Sequence, residues 1–188
     1  MASVACVLQK DSLKRCFPSD FLDKRRPTAK MNKLDNFDLI LLRELQRDSR
    51  QSAEQLTAKI ALSTTAIQRR IKRLRDEHVI VAEQAVLDPK ALGRSLTLIV
   101  AVSLKIGRAS INEQFKSTMM VAEEVQQCYA VAGDQDFILI ISVMDMYEYE
   151  VLTHRLFHSN EAVQKFHTTV VMETVKVGLQ IPVPIAVD

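Results

Sequence analysis

The sequence predicts an α+β protein: an N-terminal winged helix-turn-helix domain followed by a C-terminal ferredoxin-like βαββαβ domain. Two short amphipathic helices joined by a tight turn precede residue 77, and strand and helix patterns alternate as βαββαβ over residues 96–177. Charge divides in the same way. Residues 31–92 contain eleven Lys/Arg and nine Asp/Glu, whereas residues 93–188 contain seven and eleven. This asymmetry indicates that one part faces nucleic acid and the other does something else.

Composition narrows the class of protein. The 188 residues are 47% hydrophobic, which is enough for one large core or two small ones. No apolar run reaches the roughly 18 residues of a membrane span, so we expect no membrane partner and a cytoplasmic location. The cysteines Cys6, Cys16 and Cys128 form no close pair, which favours reduced thiols over disulfides or a metal site. Cys128 lies in an apolar run and is predicted to be a core residue. No cofactor is indicated.

The predicted domains are residues 31–92 and 93–178, with a tail over 179–188. Residues 1–30 are basic and lack the apolar core of a secretory signal. We expect them to be a disordered arm or a non-native extension.

Capping residues mark three helices in the first domain. Asp35 caps the first, Ser52 and Gln55 form a capping box for the second, and Ser63 caps the third. The predicted helices are 34–48, 52–60 and 63–77, followed by a short strand or wing over 79–86.

The third helix has the pattern of a recognition helix. At 100° per residue, Ile67, Ile71 and Leu74 share one arc and would anchor the helix to the core. No acid interrupts the five basic residues between Arg69 and Arg75 on the rest of the surface. A charged helix face is often only solvated, but the two tandem caps and this run favour insertion into the major groove.

Position along the helix suggests separate roles. Gln68 and Arg69 are expected to contact base edges, and Lys72 and Arg73 to hold phosphates. We expect Arg70 and Arg75 to be solvated. The full predicted DNA-contacting set is Arg50, Ser63, Thr64, Thr65, Gln68, Arg69, Lys72 and Arg73.

The second domain shows strand periodicity and one doubly apolar strand. We expect strands at 96–106, 125–132, 137–143 and 163–177, and helices at 110–124 and 145–157. Residues 137–141 have no polar face, which indicates that both faces of the sheet are covered. A second copy of the same sheet is the simplest cover, giving a two-fold dimer.

Five motifs together resemble the Lrp/AsnC family of feast/famine transcription regulators. In order, they are Leu34-Asp35-x-x-Asp38 with Leu45-Gln46-x-Asp48-x-Arg50, Leu62-Ser63 with Arg69-Arg70-Ile71-x-Arg73-Leu74, Leu87-Asp88-Pro89-x-x-Leu92-Gly93, Gly133-Asp134-x-Asp136-Phe137, and Val171-Met172-Glu173-x-Val175-Lys176.

The resemblance implies a ligand-responsive second domain, dimers that assemble further, commonly into octamers, and an amino-acid effector bound between dimers. Its site would lie near Gly133, Asp134 and Asp136. A carboxylate there would hold the ammonium and backbone N–H groups the carboxylate of the effector. Composition alone equally allows an ordinary hairpin turn.

The sequence departs from the family pattern at two glycines and one proline. Ala61 and His78 stand where glycines are usual, and we expect backbone strain at both. A proline usual early in the recognition helix is absent near Ala66.

The leading interpretation is a sequence-specific DNA-binding transcription regulator that responds to an amino acid and is not an enzyme. One alternative is an enzyme of the same architecture, such as a tetrapyrrole-precursor decarboxylase. His154 and His158 have the i, i+4 spacing of metal ligands, but no acid or cysteine completes a set. The other alternative is an architectural DNA-binding protein without an effector.

Overall fold

The computed structural model describes residues 34–105 and 109–184, which fall into two compact units. Of the described residues, 34–85 and 178–184 belong to the first unit, and those between 86 and 177 belong to the second. We expected the division near Gly93 and a separate tail, whereas the chain divides after Ala85 and the tail groups with the first unit. The arm assigned to residues 1–30 lies outside the described residues, as does Ile106 at the end of a predicted strand.

Within residues 34–85 the chain forms three helices, and their predicted caps are confirmed. They are α1 (Asn36–Arg47), α2 (Ala53–Thr57) and α3 (Thr64–Asp76). Asp35 and Asp38 form a capping box at α1, and Ser52 and Gln55 form one at α2. The Ser63 hydroxyl accepts the Ala66 N–H at 3.3 Å, which starts α3. Side chains thus satisfy backbone donors that a helix start leaves unpaired.

The core of this unit fixes α3 from one side. Its fully buried members are Leu41, Leu56, Ile60, Ile67 and Leu74. Ile71 packs against them half-buried. Each such burial is worth roughly 1.5–3 kcal/mol. The predicted anchor residues therefore hold α3 with its opposite face outward.

The end of α3 stores backbone strain at His78. The His78 N–H donates to Arg75 O at 3.0 Å and the Val79 N–H to Leu74 O at 2.9 Å, the bonds of a Schellman turn. This turn needs a left-handed residue, and His78 has φ 57°. The strain predicted there is confirmed. The strain predicted at Ala61 is wrong, because His78 is the one non-glycine with positive φ in the described chain.

Residues 79–86 form no strand, so the expected wing is not formed within residues 34–95. Ile80 turns back onto the core, and its N–H donates to Leu74 O at 3.0 Å. The following residues are exposed and have no strand beside them.

The second unit has the predicted βαββαβ order. Its elements are β1 (Leu96–Leu104), α4 (Ala109–Val121), β2 (Val125–Ala130), β3 (Phe137–Val143), α5 (Met146–Thr153) with a π-helical turn (His154–His158), and β4 (Val163–Val170). The antiparallel sheet has the order β2-β3-β1-β4. Both connections through helices cross over one strand, as in ferredoxin-like folds.

The two sheet faces differ in exposure. On one face Val100 and Leu139 pair side by side and are buried with Phe115 of α4. On the other, Ile99 pairs with Ile140, and both are only partly covered. The doubly apolar β3 therefore lines a core on one side and an open apolar face on the other.

Two expectations for this unit are wrong. The last strand ends at Val170 rather than at 177, because β1 begins at Leu96 and offers no partner beyond the bond from the Val171 N–H to Thr97 O. Cys128 is exposed rather than in the core, because β2 lies at the edge of the sheet. No helix of the described residues is long and apolar enough to cross a membrane.

Replacing His78 with glycine should stabilise the protein. A left-handed residue with a Cβ costs roughly 1–2 kcal/mol, and the greater freedom of glycine in the unfolded chain offsets part of that. We expect a net gain of about 0.5–1 kcal/mol in urea unfolding. His78→Ala keeps the Cβ and is the control. Equal stabilisation by both variants would show that the turn geometry is not the cause.

Candidate nucleic-acid interface

The outward face of α3 contains most of the predicted DNA-contacting residues. Thr65, Gln68, Arg69 and Lys72 are exposed, and Thr64 is half-buried. The Ser63 hydroxyl is engaged in capping α3. A helix presented with one apolar and one basic face has the form that enters the major groove of B-DNA.

A buried carboxylate on α1 binds the other side of α3. Asp38 has a side chain only 1% exposed. Its Oδ1 accepts a hydrogen bond from Arg70 Nη1 at 2.7 Å, and its Oδ2 accepts one from Arg73 Nη2. Arg70 Nη1 also donates to Asp35 Oδ2 at 2.7 Å, and its guanidinium lies 5.6 Å from the centre of the Phe37 ring. Two arginines of the recognition helix are thus tied to the start of α1.

The contacts within this cluster shift the pKa values of Asp35 and Arg70. Burial raises the pKa of the Asp35 carboxyl, but hydrogen bonds from the Asp38 N–H and Arg70, with the nearby charges of Arg70 and Arg73, bring it below its usual value. The pKa of Arg70 is raised by hydrogen bonds to Asp38 and Asp35. Both shifts favour the charged forms of Asp35 and Arg70, the forms that make the ion pair.

The expectation that Arg70 and Arg75 are solvated is wrong, since both form ion pairs. Arg75 donates to Glu83 Oε1 through Nε at 3.1 Å and Nη2 at 2.8 Å. Three of the five basic residues of α3 are therefore bound by acids. Arg69 and Lys72 form no ion pair within residues 34–105 and 109–184.

Uncommitted cations are the ones most available to phosphate. Arg69 and Lys72 can bind DNA without first breaking an ion pair. Arg73 is 43% exposed and uses one terminal nitrogen on Asp38, which leaves further N–H donors facing solvent. Arg69, Arg70, Arg73 and Asp35 line one shallow concavity of about 420 Å³.

Arg50 lies between α1 and α2 and is exposed. Its backbone N–H donates to Asp48 Oδ1 at 2.9 Å, which shapes the turn, and its side chain forms no ion pair within the described residues. Lys59, by contrast, is held by Glu44 at 2.7 Å and by Gln51 at 2.6 Å.

The predicted effector residues lie together in one turn of the second unit. Gly133 has φ 155°, a conformation that disfavours any side chain. Asp136 Oδ2 accepts the Leu104 N–H at 2.7 Å, so this carboxylate secures the turn to β1. Asp134 is exposed and makes no side-chain hydrogen bond within the described residues.

His154 and His158, the histidine pair with the spacing of metal ligands, lie side by side at the end of α5. The His154 and His158 rings lie 4.9 Å apart, but no group of three or more metal-binding side chains gathers among the described residues. His158 instead packs edge-on against Phe166, with ring centroids 5.3 Å apart.

Two family models match the chain in tandem. An AsnC-type helix-turn-helix domain matches residues 34–75, and an Lrp/AsnC ligand binding domain matches residues 97–181. The chain belongs to the Lrp/AsnC family of transcription regulators. It is thus a transcriptional regulator with a helix-turn-helix DNA-binding domain, and the proteins it matches are named as regulators rather than enzymes.

Relatives and solved structures agree with this assignment. An uncharacterised HTH-type transcriptional regulator of Sinorhizobium fredii is 46% identical over 81% of this chain and 90% of its own. The leucine-responsive regulatory protein of Haemophilus influenzae is 38% identical over 82% of this chain and 91% of its own. A Neisseria meningitidis regulator in complex with L-Met superposes with a TM-score of 0.75 at 26% identity, covering 79% and 96%. A feast or famine regulator of Mycobacterium tuberculosis, complexed with L-methionine, superposes with a TM-score of 0.71 at 29% sequence identity. The match covers 80% of this chain and 99% of that structure's chain.

Lys72→Ala should weaken DNA binding and flatten its salt dependence. A cation that neutralises one phosphate contributes about one counterion to the slope of log K against log salt, so the slope should fall by about 1. Fluorescence anisotropy at several salt concentrations measures it. Arg75→Ala, which removes a paired cation of the same helix, is the matched control. Equal loss of slope in both variants would mean that ion pairing does not decide which cations meet DNA.

Asp38→Asn should destabilise the regulator strongly. Removing one charge from a buried ion pair costs about 3–5 kcal/mol, and the partial exposure of Arg73 favours the lower end. Urea unfolding measures the loss. Asp35→Asn is the control, because Asp35 is 47% exposed and Asn caps helices equally well, so it should cost less than about 1 kcal/mol. Similar losses at both positions would refute the special role of Asp38.

Proposed function

We propose that this protein is a sequence-specific regulator of transcription whose DNA binding responds to a small amino-acid effector. It would act in the cytoplasm as a homodimer that assembles further. One observation supports DNA binding best. Arg69 and Lys72 form no ion pair among the described residues, and they lie on the exposed face of a recognition helix whose other face is buried in the core.

Base recognition would come from the start of the helix. Gln68 and Arg69 precede Lys72 by about one turn, and the N-terminal part of a recognition helix lies nearest the base edges. Gln pairs with adenine and Arg with guanine, each worth roughly 1–3 kcal/mol of discrimination. Thr64 and Thr65 would contact bases or backbone, and Lys72, Arg73 and Arg50 the phosphates.

The effector proposal rests on the turn at residue 133. Solved relatives at 26% and 29% identity hold L-Met and L-methionine. Here Asp134 offers a free carboxylate for an ammonium group, whereas Asp136 already binds the Leu104 N–H. We therefore assign the ammonium contact to Asp134 and the shaping of the turn to Gly133 and Asp136.

The dimer proposal rests on the open face of the sheet. Ile99, Ala101, Ile138 and Ile140 form a continuous apolar patch there, and Tyr129 is 50% exposed at its edge. Covering such a face with its own copy removes apolar surface from water on both chains. That explains why β3 is apolar on both sides.

The DNA-binding proposal is tested by titrating the protein with the DNA upstream of its own coding sequence. We expect salt-dependent binding that exceeds binding to a scrambled duplex by at least about 1,000-fold. Arg69→Ala should reduce that ratio, since it removes a base contact. Binding that is equal for both duplexes would favour an architectural protein and overturn the proposal.

Thermal-shift screening against the common amino acids tests the effector. A ligand that binds only the native state stabilises it by about 2.7 kcal/mol at 100 times its Kd, which corresponds to roughly 5–10 °C for a chain of this size. Asp134→Asn should abolish the shift. Glu161→Gln, another exposed acid of the second unit, should keep it. A shift that survives Asp134→Asn would place the site elsewhere, and no shift would indicate a regulator without an amino-acid effector.

Light scattering tests the dimer. Ile99→Asp places a charge in the open sheet face and should give a monomer, because an unpaired buried charge is costly. Val151→Asp alters a residue of α5 that is 54% exposed and should leave the mass unchanged. If Ile99→Asp keeps the native mass, the sheet face is not the interface.

A further inference from the structure

The end of the described chain returns to the DNA-binding unit. The chain leaves the first unit after Ala85 and rejoins it at Gly178. Residues 178–184 form neither helix nor strand, yet they group with α1 rather than with the sheet that precedes them. The first unit is therefore joined to the second by two stretches of chain.

One side chain of α1 binds both polar groups of a tail residue. Gln46 Oε1 accepts the Ile181 N–H at 2.9 Å, and Gln46 Nε2 donates to Ile181 O at 3.1 Å. This is the pairing that a residue in an antiparallel ladder receives from its neighbour, here supplied by a side-chain amide. The amide therefore recognises main chain in an extended conformation.

The tail sequence suits that mode of binding. Pro182 disfavours the helical conformation at Ile181 and biases it towards extended backbone. An extended residue points its N–H and C=O to the same side, so one amide can reach both. The conformational entropy that the segment loses on docking is smaller because proline already restricts the free chain.

In a third bond the side chain comes from the tail and the backbone group from the helix. Gln180 Nε2 donates to the backbone oxygen of Gln46 at 2.9 Å. Gln46 lies in the last turn of α1, where carbonyl groups lack partners within the helix. The tail thus caps a helix end while the helix holds the tail.

The surrounding surface has the chemistry of a peptide site. Arg43, Gln46 and Arg47 of α1 line a concavity of about 270 Å³ together with residues 180–183. Arg43 is half-buried, and its Nε finds no hydrogen-bond partner among the described residues. The side chains of Leu179 and Ile181 stay largely exposed, so polar bonds to the main chain rather than apolar burial hold the tail.

We propose that this surface of α1 is a docking site for the chain's own C-terminal segment, residues 178–183. The segment is an intramolecular peptide ligand whose recognised element is the extended main chain at Ile181. Exposed hydrogen bonds are weak singly, but a tethered ligand has an effective concentration in the millimolar range. The same helix holds the recognition helix through Asp38, so the docked tail and α3 share one rigid support.

Hydrogen exchange of the Ile181 amide in the full-length protein tests the docking. In the native protein we expect this amide to exchange at least tenfold more slowly than an unstructured one. Gln46→Ala should raise its rate to the unstructured value. Gln84→Ala alters an exposed glutamine that forms no hydrogen bond to residues 178–183 in the described chain, and it should not raise the rate. Gln180→Ala removes only the third bond and should give a smaller acceleration. Unprotected exchange of Ile181 in the native protein, or no change in Gln46→Ala, overturns the proposal.

Mixed assemblies test whether the tail docks on its own chain. Chains carrying Gln46→Ala are co-expressed with chains carrying Ile181→Pro, so that every Ile181 amide belongs to a chain without its own Gln46 side-chain amide. Docking within one chain predicts fast exchange of that amide. Protection in the mixed sample would show that the tail docks on a second copy and would overturn docking within the chain.

Discussion

The DNA-binding surface depends on the buried carboxylate of Asp38. It binds Arg70 and Arg73 of the recognition helix from the first turn of α1. The apolar anchors Ile67 and Leu74 keep α3 on the core, but apolar packing is not directional. Hydrogen-bonded charges are directional, and a buried charge tolerates no loss of its partner. Asp38 therefore sets the orientation that packing alone leaves adjustable.

Ion pairing divides the five basic residues of α3 into those that bind an acid of the same chain and those that do not. Arg70, Arg73 and Arg75 form ion pairs with acids of their own chain, and of these Arg73 keeps further N–H donors facing solvent. Arg69 and Lys72 form no ion pair among the described residues. Helix α1 serves both purposes of the unit. Its first turn holds the recognition helix and its last turn holds the C-terminal segment through Gln46. Eight residues of helix, about 12 Å, separate the two contacts.

Local signals in the sequence predict most of the fold, and long-range contacts account for what they miss. Caps at Asp35, Ser52 and Ser63 are found within three residues, so they are visible in sequence. The ion pairs of Arg70 span 32 and 35 residues, and nothing local distinguishes them from solvation. The last strand was expected to continue to residue 177 because its own pattern continues, but strand length is set by β1 beside it. Gln46 was visible as part of a family motif, and its partner 135 residues away was not.

A structure of the protein bound to its operator tests the central claim most directly. The account predicts that α3 lies in the major groove with Arg69 and Lys72 within about 3.2 Å of base or phosphate atoms, the limit for hydrogen bonds of this kind. It also predicts that Arg70 and Arg73 keep their bonds to Asp38. A complex in which Arg73 leaves Asp38 for a phosphate while Arg69 and Lys72 face solvent would contradict it.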